Sequence, residues 1–248
     1  MKKINIIIPT YNESKNILPL IKEIKRYLPD ANICVVDDSK KNIIGNILKK
    51  NNFYKVIYFH RKNKKGRGSA VIYGFKKLFN KNINQIFIEM DADFSHRPSE
   101  LKKNIKLFKK NKSDLLIASR YLKKSKILNW SLYRKILSKF SNILAEIILQ
   151  VNISDYTNGF RIYSNSSVNL IIKKCGRIGD GFIVLSEILI VINANNLRIN
   201  ETDSIFVNRV RGESSVNFRL IYQSLLGLLK LFIIKKKYKL SKWKKFNF

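Results

Sequence analysis

The stretch Gln85-Ile86-Phe87-Ile88-Glu89-Met90-Asp91-Ala92-Asp93 decides the fold that we predict for this chain. Its apolar first part is typical of a strand buried on both faces, which is the usual state of strands in parallel sheets. Its end places Asp91 and Asp93 where that strand is expected to run into a loop. In open α/β sheets, ligands bind beyond the carboxyl ends of the strands. The stretch therefore predicts a ligand site at one edge of a sheet, and the alternative is a loop with two solvated aspartates.

The spacing of these two aspartates indicates a metal site. If the strand continued through them, both side chains would point to the same side and could share one divalent cation. Mg²⁺ and Mn²⁺ prefer such oxygen ligands, and they are usually held by one or two carboxylates together with substrate phosphates. The pattern thus predicts metal-assisted chemistry on a substrate that carries phosphate.

Other apolar runs alternate with segments of helical periodicity on both sides of this stretch. The predicted strands are Ile4–Ile8, Ile33–Val36, Val56–Phe59, Ile86–Met90 and Leu115–Ala118. The predicted helices lie at residues 17–28, 70–79, 101–108, 130–149, 167–173 and 182–192. This alternation predicts a doubly wound, Rossmann-like α/β fold with a mainly parallel sheet and flanking helices. A length of 248 residues fits one such domain with a small appendage.

The charge of the chain is strongly positive, with 49 Lys and Arg against 17 Asp and Glu and a formal net charge of +32. Such a field attracts nucleic acid, anionic membranes or phosphorylated ligands. Part of the excess is explained by a composition rich in Lys, Asn and Ile, as an AT-rich genome would produce. Because no nucleic-acid-binding module or aromatic–basic platform accompanies the charge, we expect no nucleic-acid partner.

The termini and cysteines favour an intracellular protein. Lys2-Lys3 is followed only by Ile4–Ile8 before Pro9, which is too short for a secretory signal. No apolar run reaches the roughly 18 to 20 residues that a membrane-spanning helix needs. Cys34 and Cys175 show no metal-ligand spacing and are expected to be reduced thiols.

Residues 217–248 differ in character from residues 1–216. Apolar residues fall on one helical face, and a basic flank follows them at Lys235-Lys236-Lys237-Tyr238-Lys239. Those apolar residues are Phe218, Ile221, Tyr222, Leu225, Leu229 and Phe232. The combination predicts an amphipathic, polybasic tail that lies on an anionic membrane surface. The alternative is a terminal helix that packs on the domain and is followed by a solvated basic tail.

Seven polar motifs occur in a fixed order along the chain, and each one alone has a purely structural explanation. They are Pro9-Thr10-Tyr11-Asn12-Glu13, Val35-Val36-Asp37-Asp38, Gly66-Arg67-Gly68-Ser69-Ala70, the segment 90–96, Ser119-Arg120-Tyr121, the segment 157–163 and the segment 209–214. As an ordered series they resemble the family 2 glycosyltransferases of GT-A fold. Within that family the resemblance is to the dolichyl- or polyprenyl-phosphate mannose synthases, and it covers residues 4–215.

The resemblance implies a role for individual residues. The nucleotide's base and ribose would contact Pro9, Tyr11, Glu13, Val36 and Asp38. A Mg²⁺ or Mn²⁺ ion and the diphosphate would be held by Asp91 and Asp93, with Ala92 and Ser95 beside them and Ser95 as a further metal ligand. The phosphate of the acceptor would be held by Arg120, Arg134 and Ser138. Asp93, Arg120 and Arg134 would be the catalytic residues.

One late loop departs from the family pattern. Arg209 matches an arginine on a loop that closes over the nucleotide sugar. Ser215 occupies a position where the family usually has Lys, so that its contact with the diphosphate is in doubt. Arg211 is the residue that would replace the lost cation.

The resemblance implies an inverting, metal-dependent hexosyltransferase that moves mannose from GDP-mannose to a polyprenyl phosphate. Such an enzyme would act at the cytoplasmic face of the membrane as a peripheral protein, and the resemblance allows a small membrane partner subunit. One alternative is transfer of glucose or a modified arabinose from a UDP-sugar to undecaprenyl phosphate. Another is a basic, non-catalytic protein that binds membranes or nucleic acid. The sequence leaves open the sugar, the polyprenol, the metal and the oligomeric state.

Overall fold

The computed structural model describes residues 2–53, 55–62, 66–181, 183–208 and 226–233. Nine strands lie within these ranges: β1 Lys3–Thr10, β2 Asn32–Asp37, β3 Ile57–His60, β4 Gln85–Glu89, β5 Leu115–Ser119, β6 Lys126–Leu128, β7 Arg161–Ser164, β8 Ile199–Asp203 and β9 Ile205–Val207. The first seven α-helices along these ranges are α1 Ile17–Tyr27, α2 Ile43–Lys50, α3 Arg67–Leu78, α4 Leu101–Lys110, α5 Leu132–Leu149, α6 Asn165–Lys174 and α7 Ile183–Ala194. A 3₁₀ turn at Pro98–Glu100 precedes α4, and residues 226–233 are also helical.

Seven of the strands form one sheet in the order β3-β2-β1-β4-β7-β5-β8. Only β7 runs antiparallel to its two neighbours, β4 and β5, and the other adjacent strands are parallel. The short strands β6 and β9 form a separate parallel pair. The mainly parallel α/β sheet predicted from the sequence is therefore confirmed, whereas α2, β6, β7, β8 and β9 have no counterpart among the predicted elements.

Helices cover both faces of the sheet, and the alternation of side chains along β1 shows how. Ile7 contributes to a core cluster with residues of α3, α5, α6 and α7. Ile6 and Ile8 point to the opposite face and contribute to a second cluster with α1, α2 and α4. Burial on both faces explains why the central strands read as nearly continuous apolar runs.

The order of the strands reverses at β1, which has β2 on one side and β4 on the other. Such a reversal leaves a crevice at the carboxyl ends of the two strands, where ligands bind in this class of fold. Backbone contacts bring the ends of these three strands together: Asp38 N donates to Thr10 O at 3.0 Å and Met90 N donates to Ile7 O at 3.2 Å. The motifs that follow β1, β2 and β4 therefore meet at one edge.

The glycines at the start of α3 serve the packing of that helix. Gly66 adopts φ +91°, a left-handed conformation that favours glycine. A Cβ at Gly68 would lie 2.5 Å from the Cβ of Val184, so a side chain there would push α3 away from α7. Close packing of α3 against α7 thus accounts for the second glycine of the Gly-x-Gly pattern.

Arg161, at the start of β7, is fully buried and its guanidinium contacts three backbone carbonyls. Nε donates to Asn158 O at 2.8 Å, Nη1 to Leu185 O at 2.9 Å and Nη2 to Tyr156 O at 2.9 Å. These bonds join the loop before β7 to α7. They also supply donors to carbonyl groups that have no access to water, and a buried carbonyl without a donor destabilises the fold.

We expect Arg161→Met to lower the free energy of unfolding by about 3 kcal/mol or more, because each buried carbonyl left without a donor costs about 1–3 kcal/mol. Urea denaturation measures the difference. Arg26→Met, at an exposed arginine near the end of α1, is the matched control and should change the free energy by less than about 1 kcal/mol. Equal losses in the two variants would contradict the role assigned to Arg161.

Candidate active site

Asp91 and Asp93 lie at the carboxyl edge of the sheet, but they do not lie in a strand. β4 ends at Glu89, and residues 92–96 form a bend in which Phe94 has φ 63°. The prediction that strand alternation directs both carboxylates to one side is therefore wrong in its premise, because neither aspartate lies in a strand. The two acids also differ in exposure, because the side chain of Asp91 is 26% exposed whereas Asp93 is buried.

The carboxylate of Asp91 is held by an arginine from α3 whose side chain is only 12% exposed. Arg67 Nε donates to Asp91 Oδ1 at 2.7 Å, its Nη1 pairs with Glu89 Oε1, and its Nη2 donates to Gly159 O at 3.3 Å. Burial disfavours the charged guanidinium, but the two carboxylates outweigh burial and raise the pKa of Arg67. A Cβ at Gly159 would overlap this guanidinium, so a side chain there would displace Arg67 from its present position.

The second oxygen of Glu89 accepts a hydrogen bond of 2.7 Å from the Tyr163 hydroxyl. Burial and then the neighbouring Glu89 raise the pKa of Tyr163 well above its ordinary value, so Tyr163 stays a neutral donor. The acidic end of β4 is thus connected through Glu89 to Arg67 on one side and to β7 on the other.

His96 is a structural residue beside Asp91. Its Nδ1 accepts a hydrogen bond of 2.9 Å from the backbone N–H of Asp91, so the ring hydrogen is on Nε2, which lies 2.9 Å from Asn158 Oδ1. The ring stacks on Phe160 with centroids 5.2 Å apart. His96 therefore orients the Asp91 loop and is not placed to act as a base.

The residues at this edge fit a divalent cation. Asp93 Oδ1 accepts from the backbone N–H of Ser95 at 3.1 Å, and within the described chain the buried Ser95 hydroxyl has no hydrogen-bond partner. An unpaired buried hydroxyl beside two carboxylates is an oxygen donor set of the kind that Mg²⁺ and Mn²⁺ prefer. The described ranges hold no group of three or more His, Cys, Asp or Glu side chains suited to a metal. Substrate phosphates would have to supply the remaining ligands.

The residues expected to contact the nucleotide lie at the ends of β1 and β2. Pro9 and Val36 are register partners on these strands and are buried, while Tyr11 is 37% exposed. Glu13 accepts a hydrogen bond of 2.6 Å from the Asn16 side chain just before α1. Ala92, expected beside the metal site, is buried between the two aspartates that follow β4.

Asp38 is engaged by an arginine that the sequence did not associate with it. Arg61 donates from Nε to Asp38 Oδ1 and from Nη2 to Asp38 Oδ2, both at 2.6 Å. The preceding Asp37 has a structural role, because its carboxylate accepts from the side chains of Thr10, Ser39 and Tyr58. A nucleoside at this position would meet an Asp38 carboxylate whose charge is already compensated.

Arg120, expected to bind the acceptor phosphate, forms a buried bidentate ion pair with Asp155. Arg120 Nε and Nη2 donate to the two carboxylate oxygens, each at 2.8 Å, and Nη2 also donates to Thr157 Oγ1 at 2.6 Å. Burial disfavours both charges, but the pairing outweighs it, raising the pKa of Arg120 and lowering that of Asp155. The guanidinium is thus fixed and charged, and Nη1 makes no hydrogen bond within the described ranges.

Arg134 and Ser138 lie one turn apart on α5 and face the same region as Arg120. Arg134 Nη1 donates to Asn208 Oδ1 at 2.9 Å, and Ser138 Oγ accepts from the Tyr121 hydroxyl at 2.7 Å. Because Ser138 accepts from Tyr121, its own hydroxyl hydrogen can be donated to a ligand. The Arg134 guanidinium stacks on the ring of Trp130 at 4.2 Å from the ring centroid.

The cationic region, formed by Arg120, Arg134 and Ser138, lies next to the acidic edge, formed by Asp91, Asp93 and Ser95. Phe206 lies 5.4 Å from the Arg120 guanidinium on one side and 5.6 Å from the His96 ring centroid on the other. Thr157 contacts Arg120 and the next residue, Asn158, contacts His96. The structure therefore brings together Asp91, Asp93 and Ser95 with Arg120, Arg134 and Ser138.

Several residues of the site were missed by sequence reasoning. Asp155 stands 35 residues from its partner Arg120, and no local pattern connects them. Arg61, Trp130 and Phe206 also gave no signal, since each resembles an ordinary basic or aromatic residue. Arg209, Arg211 and Ser215 lie outside the described residues, so that their roles stay predictions.

α5 carries a row of large apolar side chains on its exposed side. These are Leu132, Tyr133, Ile136, Phe140, Ile143 and Ile147, with Leu132 73% and Ile147 66% exposed. Lys135 and Lys139 are exposed between them. The helix at 226–233 buries Leu228 and Leu231 in the core and exposes Leu229 and Phe232. In the part of the chain that the structure describes, no helix has the length and apolar character to cross a membrane.

Known proteins resemble this chain along most of its length. The dolichol-phosphate mannosyltransferase of Pyrococcus furiosus is 33% identical over 251 residues, which cover 97% of this chain and 64% of that protein. The undecaprenyl-phosphate mannosyltransferase of Micrococcus luteus is 29% identical over 225 residues, or 90% of each chain. The polyprenol monophosphomannose synthase of Mycolicibacterium smegmatis is 35% identical over 64% of this chain and 60% of that protein. The chain thus spans less than two thirds of the first and third relatives.

Solved structures share the fold at low sequence identity. Glucosyl-3-phosphoglycerate synthase from Mycobacterium tuberculosis, in complex with Mn²⁺, UDP-glucose and phosphoglyceric acid, matches with a TM-score of 0.66 at 14% identity, covering 93% of this chain and 80% of that one. TarS 1–349 of S. aureus matches with a TM-score of 0.59 at 16% identity, covering 94% and 65%. These likenesses confirm the GT-A fold that the sequence predicted.

The family is shown by a further match, between residues 5–171 and the sequence model described as Glycosyl transferase family 2. That range is more than half of the 248 residues and contains both the acidic edge and the cationic region. This chain belongs to glycosyl transferase family 2.

Proposed function

We propose that this chain transfers mannose from GDP-mannose to a polyprenyl phosphate, with inversion at the anomeric carbon. The observation that carries the proposal is the adjacency of two sites of opposite charge: the Asp91 and Asp93 edge, and the region of Arg120 and Arg134. A sugar nucleotide and a phosphate monoester need such a pair of sites. The names of the relatives, which include dolichol-, undecaprenyl- and polyprenol-linked mannose transfer, support this choice of acceptor and sugar.

The acceptor needs no strong base in this reaction. A phosphate monoester has a second pKa near 6 and is already largely dianionic at pH 7. One of its oxygens attacks the anomeric carbon as the bond from that carbon to the diphosphate breaks, and the nucleoside diphosphate leaves. Arg120 and Arg134 hold the phosphate by charge-assisted hydrogen bonds, and Ser138 donates one more. Positioning of this kind lowers the barrier by several kcal/mol.

The leaving diphosphate would be received at the acidic edge. A Mg²⁺ or Mn²⁺ ion bound there would neutralise charge on the diphosphate as a Lewis acid. Asp91, Asp93 and Ser95 are the residues proposed to hold it, with Arg67 and His96 keeping Asp91 in position. Arg209 and Ser215 are proposed to contact the nucleotide sugar, and Arg211 to supply the cation that Ser215 lacks.

A donor assay tests the proposed function. The purified chain, with Mn²⁺ or Mg²⁺ and a short-chain polyprenyl phosphate, should give labelled lipid from labelled GDP-mannose, and excess EDTA should abolish the signal. If the lipid is labelled by UDP-glucose and not by GDP-mannose, the chain is a glucosyltransferase, as in the alternative reaction. Failure of every sugar nucleotide to label the lipid would contradict the proposed function.

We expect Asp93→Asn to reduce transfer by about 100-fold or more, because the variant removes a metal-binding charge worth several kcal/mol. The amide oxygen can still accept the hydrogen bond from Ser95, so that thermal denaturation should show an intact fold. Asp203→Asn, at an exposed aspartate paired with Lys103, is the matched control and should keep its activity. Mn²⁺ titration followed by electron paramagnetic resonance gives a second readout, and unchanged Mn²⁺ affinity in Asp93→Asn would refute the metal assignment.

The proposed function requires the chain to contact a membrane surface, because its acceptor is a lipid. The exposed row on α5 supports it, since α5 also carries Arg134 and Ser138, and lysines lie along the apolar residues as they do in interfacial helices. The tail 217–248 is proposed to contribute too, although most of it lies outside the described residues. The cytoplasmic face and a small membrane partner subunit belong to the same proposal.

We expect the double variant Ile136→Asp, Phe140→Asp to weaken flotation with phosphatidylglycerol vesicles by about 10-fold or more, because two exposed apolar contacts are replaced by charges that the anionic surface repels. The control is Ile43→Asp, Ile83→Asp, which alters two exposed isoleucines outside α5. If both double variants float like the unmodified chain, α5 does not contact the membrane. Binding by the purified chain alone shows whether a partner subunit is needed.

A further inference from the structure

Trp130 contacts both arginines of the cationic region. The Arg134 guanidinium lies 4.2 Å from the centroid of the indole ring, and the Arg120 guanidinium lies 5.6 Å from it. The edge of the ring also meets Phe206, with centroids 5.2 Å apart. One side chain, placed just before α5, therefore touches the two cations assigned to the acceptor phosphate.

The two arginines are stabilised in different ways. Arg120 is paired with a carboxylate, Asp155, which fixes the orientation of its guanidinium. Arg134 stacks on an aromatic ring, which attracts a cation through its quadrupole and adds no negative charge. The indole ring thus orients the guanidinium without placing a carboxylate of its own beside the phosphate, which a carboxylate would repel.

The position of the ring is set by packing. The indole Nε1 is buried and has no hydrogen-bond partner within the described ranges. Among the described residues, the ring is therefore held by its packing contacts and by no hydrogen bond. The neighbouring Ser131 caps α5 by accepting from Arg134 N at 3.3 Å. Trp130 and Arg134 are thus held at the same helix end, where the ring face and the Asn208 side chain, which accepts from Arg134 Nη1 at 2.9 Å, both orient the guanidinium.

We propose that Trp130 is a positioning residue of the acceptor site, whose ring holds the Arg134 guanidinium in place for the acceptor phosphate. The proposal rests on the proposed function for the identity of that anion. Its physical content is that the ring face, and not the indole N–H, carries the effect. A variant that keeps an aromatic face should therefore restore what an aliphatic variant loses.

The test compares Trp130→Leu with Trp130→Phe in steady-state transfer to a short-chain polyprenyl phosphate. Trp130→Leu should raise the KM for the acceptor by about 10-fold, in the range expected for loss of a partly desolvated cation–π contact. Trp130→Phe should raise it by about threefold or less. The KM for the sugar nucleotide should stay within about twofold in both, because the ring does not touch the acidic edge.

A double-mutant cycle shows whether Trp130 acts through Arg134. In the background of Arg134→Met, adding Trp130→Leu should change the acceptor KM by less than about twofold, since the partner of the ring is already absent. Phe59→Leu is the matched control. Lys77 Nζ lies 5.8 Å from the centroid of the Phe59 ring, and Phe59 is on β3, away from both arginines. It should leave the acceptor KM unchanged.

The outcomes separate this inference from the proposed function. If the unmodified chain transfers no sugar to the lipid, the proposed function fails before any variant is compared. If it does transfer sugar, an unchanged acceptor KM in Trp130→Leu, or equal rises for acceptor and donor, overturns the role of Trp130. Full additivity with Arg134→Met overturns it as well. Trp130→Met replaces Trp130→Leu if Tm falls by more than about 5 °C.

Discussion

The contact of Arg67 with the carboxylates of Glu89 and Asp91 is the interaction on which the candidate active site depends. Arg67 is the first residue of α3 and Glu89 the last of β4, so the pairing joins a helix start to a strand end. Removing one partner of such a buried pair costs about 3–5 kcal/mol, because the remaining charge is uncompensated. The position of Asp91 is therefore set by the sheet and α3, although Asp91 itself lies in a bend.

A single segment, residues 155–161, connects this contact to the cationic region. Asp155 pairs with Arg120, Asn158 contacts His96, and the absence of a side chain at Gly159 makes room for Arg67. Arg161 then fixes the end of the segment to α7. Because each contact uses a different residue of one short loop, displacement of that loop would disturb both charged sites together.

The fold could be predicted from the sequence largely because burial on both faces leaves a strong signal in apolar strands such as Ile4–Ile8. β7 gave no comparable signal, since its direction is decided by neighbours β4 and β5 that are distant in sequence. At the site, the ordered motifs indicated Asp91, Asp93 and Arg120, whereas Asp155 and Arg61 were missed. The fold brings the partner of a buried charge from a distant part of the chain, so local spacing in the sequence does not predict the pairing.

The charge arrangement explains how one site can receive two anions. In the proposed reaction a diphosphate and a phosphate monoester approach the same anomeric carbon, and they repel each other. Arg120 is held in one orientation by its ion pair with Asp155, and the guanidinium of Arg134 is oriented by stacking on an aromatic ring. At the other edge, Asp91 is compensated by Arg67, and Asp93 accepts from the backbone N–H of Ser95, whose buried hydroxyl has no partner within the described ranges. A cation held by Asp91, Asp93 and Ser95, as proposed, would add positive charge on the diphosphate side and reduce the repulsion between the two anions.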